Sequence, residues 1–158
     1  MEFGWIRRGI LPALLFSIAC LPGLQAQSHG YGFVGSTIGD APLDGAFRYG
    51  LGAAWAVFPH VTFGGEIGRV KSNGGGLIAS GNVGVHLRRR AASGFDPFVT
   101  GGLTGAKVYG ETAAWTNVGG GVNYWFQSHL ALRGEFRTYR GGSDRNGFSE
   151  LRFGISIR

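Results

Sequence analysis

The chain has 158 residues, enough for one domain, a formal net charge of +6, only 15% charged residues and 31 glycines. Ordinary soluble domains carry about 25% charge and about 7% glycine. The glycines follow no collagen-like period, and the single cysteine excludes a disulfide framework. A chain with so little charge and so many aromatics, yet no spanning helix, can enter a bilayer only as a closed barrel, because in lipid every backbone amide needs a partner.

The first element in chain order is a leader. Arg7 and Arg8 form a positive n-region, an apolar stretch runs from Gly9 to Leu21, and Leu24-Gln25-Ala26 reads as a cleavage site before Gln27. The stretch is shorter than the about 20 apolar residues a membrane helix needs. Arg7-Arg8 also fits twin-arginine export, but that route carries folded cargo, whereas a barrel precursor crosses unfolded. Cys20 follows Ser17-Ile18-Ala19, where a lipidation site would carry an aliphatic residue in place of Ser17. Residues 1–26 are therefore expected to be a signal peptide and 27–158 the mature domain. Processing removes Arg7, Arg8, Glu2 and Cys20, which leaves 13 Lys+Arg, 8 Asp+Glu and a net charge of +5.

From residue 29 onward, alternation of period two is broken at regular intervals by turn residues, which is the mark of strands. The spacing predicts a first strand over about 29–38. The second sets Phe47, Tyr49, Leu51, Ala53, Trp55 and Val57 against Arg48, Gly50, Gly52, Ala54 and Ala56. After Phe58-Pro59-His60, a third sets Val61, Phe63 and Ile67 against Thr62, Gly64 and Glu66. Beyond Ser72-Asn73-Gly74-Gly75-Gly76, a fourth sets Leu77, Ala79, Val83, Val85 and Leu87 against Ser80, Asn82, Gly84, His86 and Arg88. Like the first, strands five (about 97–107) and six (about 112–126) alternate less cleanly because glycine blurs both faces. The seventh sets Leu130, Leu132 and Phe136 against Arg133, Glu135 and Arg137; the eighth sets Leu151, Phe153, Ile155 and Ile157 against Arg152, Gly154 and Ser156.

Eight segments of this length suit an eight-stranded antiparallel up-and-down transmembrane β-barrel, whose tilted strands need about 9–11 residues each. An even count puts both ends in the periplasm, with the connections near 58–60, 90–95 and 127–129. Those near 39–45, 71–76, 108–111 and 141–146 then face outward. A soluble lipocalin-like barrel would bury the apolar face instead. Three features favour the inverted arrangement: the small residues on the polar face of strand two, the low charge, and aromatics near strand ends. Those aromatics, Trp55, Phe58, Tyr124, Trp125 and Phe126, are expected to form an interfacial girdle.

Asn117-Val118-Gly119-Gly120-Gly121-Val122-Asn123-Tyr124-Trp125-Phe126 and His129-Leu130-Ala131-Leu132-Arg133-Gly134-Glu135-Phe136-Arg137 resemble the sixth and seventh strands of small outer-membrane barrels of the OmpA/OmpX type. Pro97-Phe98-Val99-Thr100-Gly101-Gly102 is similar to their fifth. The resemblance covers essentially the whole mature chain and implies an outer-membrane barrel inserted by the barrel-assembly machinery. Its motifs are architectural and imply no activity. Members usually end on an aromatic residue; this chain ends Ile155-Ser156-Ile157-Arg158.

Little in the sequence points to chemistry. Gly30-Tyr31-Gly32-Phe33-Val34-Gly35 spells a dinucleotide fingerprint, but no helix follows to hold pyrophosphate, so no cofactor is expected. His29, His60, His86 and His129 lack ligand spacing, so no metal is expected. Ser28-His29 and Ser128-His129 evoke a hydrolase, yet neighbours on a strand point to opposite faces and could not pair. Behind a leader, Arg88-Arg89-Arg90 reads as a contact to phospholipid headgroups, and no nucleic-acid partner is expected.

The constellation that stands out is the set of inward charges: Arg48, Glu66, Arg88, Arg133, Glu135, Arg137 and Arg152. In a narrow lumen such charges must pair, and arginine–carboxylate bonds can be bidentate. The reading is a non-enzymatic outer-membrane barrel with a structural or interaction role at the cell surface, its lumen plugged by charge. A lipid A-modifying enzyme and a narrow channel are the rivals, with a soluble ligand-binding barrel behind them. Lys71, Lys107, Arg140 and Arg145, near the outward connections, are expected to meet lipopolysaccharide phosphates.

Overall fold

A strand forms over each of the period-two segments. The computed structural model describes residues 28–39, 45–71, 75–88, 94–108, 111–141 and 147–158. The proposed leader and Arg145 lie outside them. Eight strands follow in order: β1 (His29–Gly39), β2 (Phe47–Phe58), β3 (Val61–Lys71), β4 (Gly76–His86), β5 (Gly94–Val108), β6 (Glu111–Trp125), β7 (Leu130–Gly141) and β8 (Gly147–Ile157). Each pairs antiparallel with its chain neighbour, and β8 closes onto β1. Closure removes both sheet edges, the condition that lipid imposes on strands.

The register sets the barrel's width. Tyr31 leads through Gly52, Glu66 and Ser80 to Thr104 in one direction. In the other it leads through Ser156, Ala131 and Trp125 to Gly94. The two walks meet β5 ten residues apart, which is the stagger of the barrel. With about 3.3 Å per residue and about 4.8 Å between strands, that stagger tilts the strands by roughly 40° and gives a radius of about 8 Å. Side chains fill such an interior.

The strand bounds depart from the expected segments in several places; β5, for one, begins at Gly94, inside the expected 90–95 connection. Glu111, placed in a connection by sequence, is the first residue of β6 and pairs with Val108. β4 stops at His86, two residues early. The Leu87 amide donates to the Pro97 carbonyl at 2.8 Å, but Pro97 has no N–H to return. The ladder lapses there and the chain bends through Leu87 and Arg88.

The outward face is apolar, with Leu51, Ile67, Leu103, Val118, Phe136 and Phe153 all exposed. Inside, the end carrying the β7–β8 and β1–β2 connections is closed by an apolar cluster of Ala46, Val70, Ile78, Ala106, Tyr139 and Phe148, with Trp115 against it. Tyr139 stacks on Phe148, ring centres 4.4 Å apart. Among the described residues no helix is long and apolar enough to cross a membrane.

Candidate functional site

Below the apolar cluster the lumen holds a layer of buried charge. Strand parity decides its membership: Arg48 on β2, Glu66 on β3, Arg133, Glu135 and Arg137 on β7, and Glu150 and Arg152 on β8 all point inward and are buried. Beside them the wall is thin. Gly50, Gly68, Gly119 and Gly121 are inward positions without side chains; a Cβ at Gly50 or Gly121 would meet the Phe33 or Phe98 ring, and one at Gly68 would meet Arg48 Nε at 3.4 Å.

Glu66 is the hub. Arg152 grips it with both terminal nitrogens, Nη1 to Oε2 at 3.1 Å and Nη2 to Oε1 at 3.0 Å. Arg137 donates from Nη1 at 3.0 Å, Arg48 from Nη2 at 3.4 Å, and the Tyr31 hydroxyl at 3.1 Å. On one side Glu135 accepts from Arg133 Nε and Nη2 at 3.3 and 3.0 Å, and from Arg137 Nε at 2.8 Å. On the other Glu150 accepts from Arg48 at 2.9 Å and from the Tyr139 hydroxyl at 2.9 Å, and it lies 2.8 Å from Arg152.

Four arginines thus face three glutamates, and aromatic faces take up the surplus. The Arg133 guanidinium sits 4.4 Å from the Tyr31 ring centre and 4.1 Å from that of Phe98; Arg152 sits 4.4 Å from that of Phe33. Ring quadrupoles attract such cations most where water is excluded.

Of the seven inward charges expected from sequence, the fold brings six together. Arg88 is not among them: it follows the end of β4 in the bend opposite Pro97, and its side chain is exposed. Its apparent parity continued a strand that had already ended. Conversely, Glu150 and Tyr139 are central to the layer and were missed. Glu150 is two residues before Arg152 and shares its face, a spacing that could have identified it.

A second cluster lies nearer the end that carries the termini. His86 Nδ1 lies 2.9 and 3.0 Å from the Asp96 carboxylate oxygens. Asp96 also accepts from Asn123 at 3.4 Å and from the Trp125 indole at 3.5 Å. His29 meets His86 edge to face at 5.9 Å, a pairing invisible in sequence because the residues lie on different strands. Trp125 is therefore not part of an outer girdle. It is 2% exposed and lies under the Arg158 guanidinium, because its neighbour Tyr124 takes the outward position. Trp55, Phe58, Tyr124 and Phe126 do face outward, and Phe95 packs on Tyr124 at 4.8 Å.

Between the clusters is a cavity of about 30 Å³ bordered by Asn82, Thr62, Thr100 and His86. Neither amide atom of Asn82 has a protein partner, and this space admits water to serve both. Among the described residues no three His, Cys, Asp or Glu side chains are grouped to hold a metal. Ser128 and His129 do come into contact, Oγ to Nδ1 at 3.4 Å, contrary to the expectation of opposite faces. They lie in the bend after β6, where strand alternation has ended, and both are exposed.

No protein-family model matches the chain, and no curated protein matches it in sequence. Among solved structures it is similar to the N-terminal β-barrel domain of Pseudomonas aeruginosa OprF, with a TM-score of 0.69 at 16% identity, covering 82% of this chain and 96% of that one. It is similar to Neisserial surface protein A, with a TM-score of 0.60 at 16% identity over 82% and 94% of the two chains. A de novo designed transmembrane β-barrel matches at 0.60 and 21% identity, over 87% and 96%. The shared fold is the small eight-stranded barrel of the OmpA/OmpX type. A designed protein adopts it too, so the architecture specifies no task by itself.

Proposed function

We propose that this transmembrane barrel is an outer-membrane protein, exported through its leader, that acts as a sealed scaffold with a structural or interaction role at the cell surface. The observation that carries this reading is the unbroken charge layer. Glu66, Glu135 and Glu150 each hold two or more arginines, and an apolar lid lies directly above. An ion crossing the lumen would have to part bonds among groups that are almost wholly buried, and stranding one such charge costs about 3–5 kcal/mol. A barrel of this width has no spare cross-section for a water column beside them.

Lipopolysaccharide and the barrel-assembly machinery are the partners this reading requires. It assigns no catalytic role to His86 and Asp96, whose pairing is turned into the lumen and includes no hydroxyl nucleophile. Carbonate-resistant membrane fractionation combined with heat-modifiable gel migration tests the location. Planar-bilayer recording tests the seal: the expected trace is flat, and reproducible unitary conductance steps would sink the sealed-scaffold reading.

A further inference from the structure

The outer wall is not uniformly convex. A shallow, open groove of about 790 Å³ crosses β8, β1, β2, β3 and β4 on the outward face. Its floor is Gly32, an outward-facing glycine, with Val34, Leu51, Phe153 and Ile155 standing around it. One cross-strand row runs along it, Phe153 to Val34, Tyr49, Arg69 and Leu77, and then beyond it to Lys107.

The stagger gives this row a direction. At a tilt of roughly 40°, each step from strand to strand climbs about 3 Å along the barrel axis. Five steps from Phe153 to Lys107 climb about 15 Å, a little more than half of an apolar band about 25 Å tall. The groove is therefore apolar at mid-membrane and ends at headgroup level on the side away from the termini. At that upper end Arg69 and Lys107 flank Leu77 at about 10 Å, two strand spacings apart, and Lys71 and Arg140 are exposed at the same rim. None of these four cations has an ion pair with a described residue.

From this geometry we infer that the groove is a binding site for one acyl chain of lipid A, whose phosphate is held between Arg69 and Lys107. The cations answer the phosphate, the glycine floor answers the chain, and the climb of the row joins the two at the spacing of headgroup and acyl core. The inference rests on the outer-membrane reading, in which the leaflet around the end away from the termini is made of this phosphorylated, multiply acylated lipid.

The test uses the folded barrel in detergent, incubated with lipid A, and native mass spectrometry to count retained lipid. Gly32→Leu fills the groove, and it is sterically permitted because a Cβ there meets only the Leu51 side chain at 3.4 Å. Arg69→Gln combined with Lys107→Gln removes the headgroup contacts. Each variant should lower retention roughly tenfold. Wild type should show the same loss toward dephosphorylated lipid A. Gly101→Leu is the control; it faces lipid on β5, away from the groove, where a Cβ meets only the Asn117 carbonyl at 3.6 Å. Heat-modifiable migration verifies that every variant is folded. Unchanged retention by Gly32→Leu, equal loss in Gly101→Leu, or displacement of lipid A by an equal amount of phosphatidylglycerol would each overturn the site. A barrel that fractionates outside the outer membrane would overturn the location instead, leaving binding by the purified protein intact.

Discussion

Replacing Glu66 with Gln changes almost no volume and removes one charge from the centre of the lumen. Glu66 is 3% exposed and accepts from three arginines and Tyr31. The variant leaves four arginines facing two glutamates and turns an amide N–H₂ toward a guanidinium. Breaking a buried pair this way costs about 3–5 kcal/mol. The lower end applies here, about 3 kcal/mol, because Arg152 keeps Glu150 at 2.8 Å and Arg48 keeps it at 2.9 Å. The informative comparison is Asp96→Asn. Asp96 is also paired, but its side chain is 15% exposed and its partner is an imidazole, not a permanently charged guanidinium. No charge is then stranded, and the loss should be about 1 kcal/mol, that of a hydrogen bond. Urea unfolding of both variants in the same lipid vesicles, followed by gel migration and tryptophan fluorescence, reads the difference. Equal midpoints would refute the reasoning, since they would mean that the Glu66 layer is as well solvated as the rim.

The lipid-facing wall should be intolerant of charge at mid-depth. Phe136, at the centre of β7 and 48% exposed, should cost about 2–4 kcal/mol as arginine in a vesicle unfolding titration. Leu132, nearer the strand's end, should cost less. A lipid-phase quencher should reach a fluorophore at 136 and not one at the fully buried Ala131; the reverse would mean the faces are inverted. Gly154→Ala should destabilise the barrel by about 1–3 kcal/mol, because a Cβ there would overlap the Gly32 carbonyl oxygen. Gly134→Ala, with nothing within 4 Å of the new atom, should instead stabilise by about 0.4–1 kcal/mol through the unfolded chain. Equal effects of the two glycine changes in the same titration would contradict that account. Mass-spectrometric mapping of the processed protein should find its N-terminus at Gln27; retention of Met1 or acylation of Cys20 would exclude the proposed cleavage.

Much of the fold was legible because the strand period is local. Backbone stereochemistry sends successive side chains to opposite faces wherever a strand forms. Five clear runs of alternation and three blurred by glycine therefore mark eight strands, and parity alone puts Arg48, Glu66, Arg133, Glu135, Arg137 and Arg152 inside. The same rule failed where hydrophobicity stopped reporting the face. At the closed end the inward residues are apolar: Val70, Ile78, Tyr139 and Phe148 form the lid. In Thr138-Tyr139-Arg140 and in Phe148-Ser149-Glu150 an apolar residue points in, so the alternation assigned to the seventh strand stops at Arg137 and that of the eighth starts at Leu151, which leaves out Tyr139 and Glu150. Arg88 failed for a different reason. Its alternation was intact, but Pro97 on the neighbouring strand ended the ladder, and nothing within β4 records that.

The sequence by itself determined the strand count, the two faces along the middle of the strands and six of the inward charges, since each depends on residues a few positions apart. Only the tertiary structure decided which side chains meet: the charges of Arg48 and Glu150, 102 positions apart, and the rings of His29 and His86. It alone decided that one outward row climbs from Phe153 to Lys107. Both follow from the ten-residue stagger, which is the sum of eight separate strand pairings and is fixed only when the last strand closes on the first.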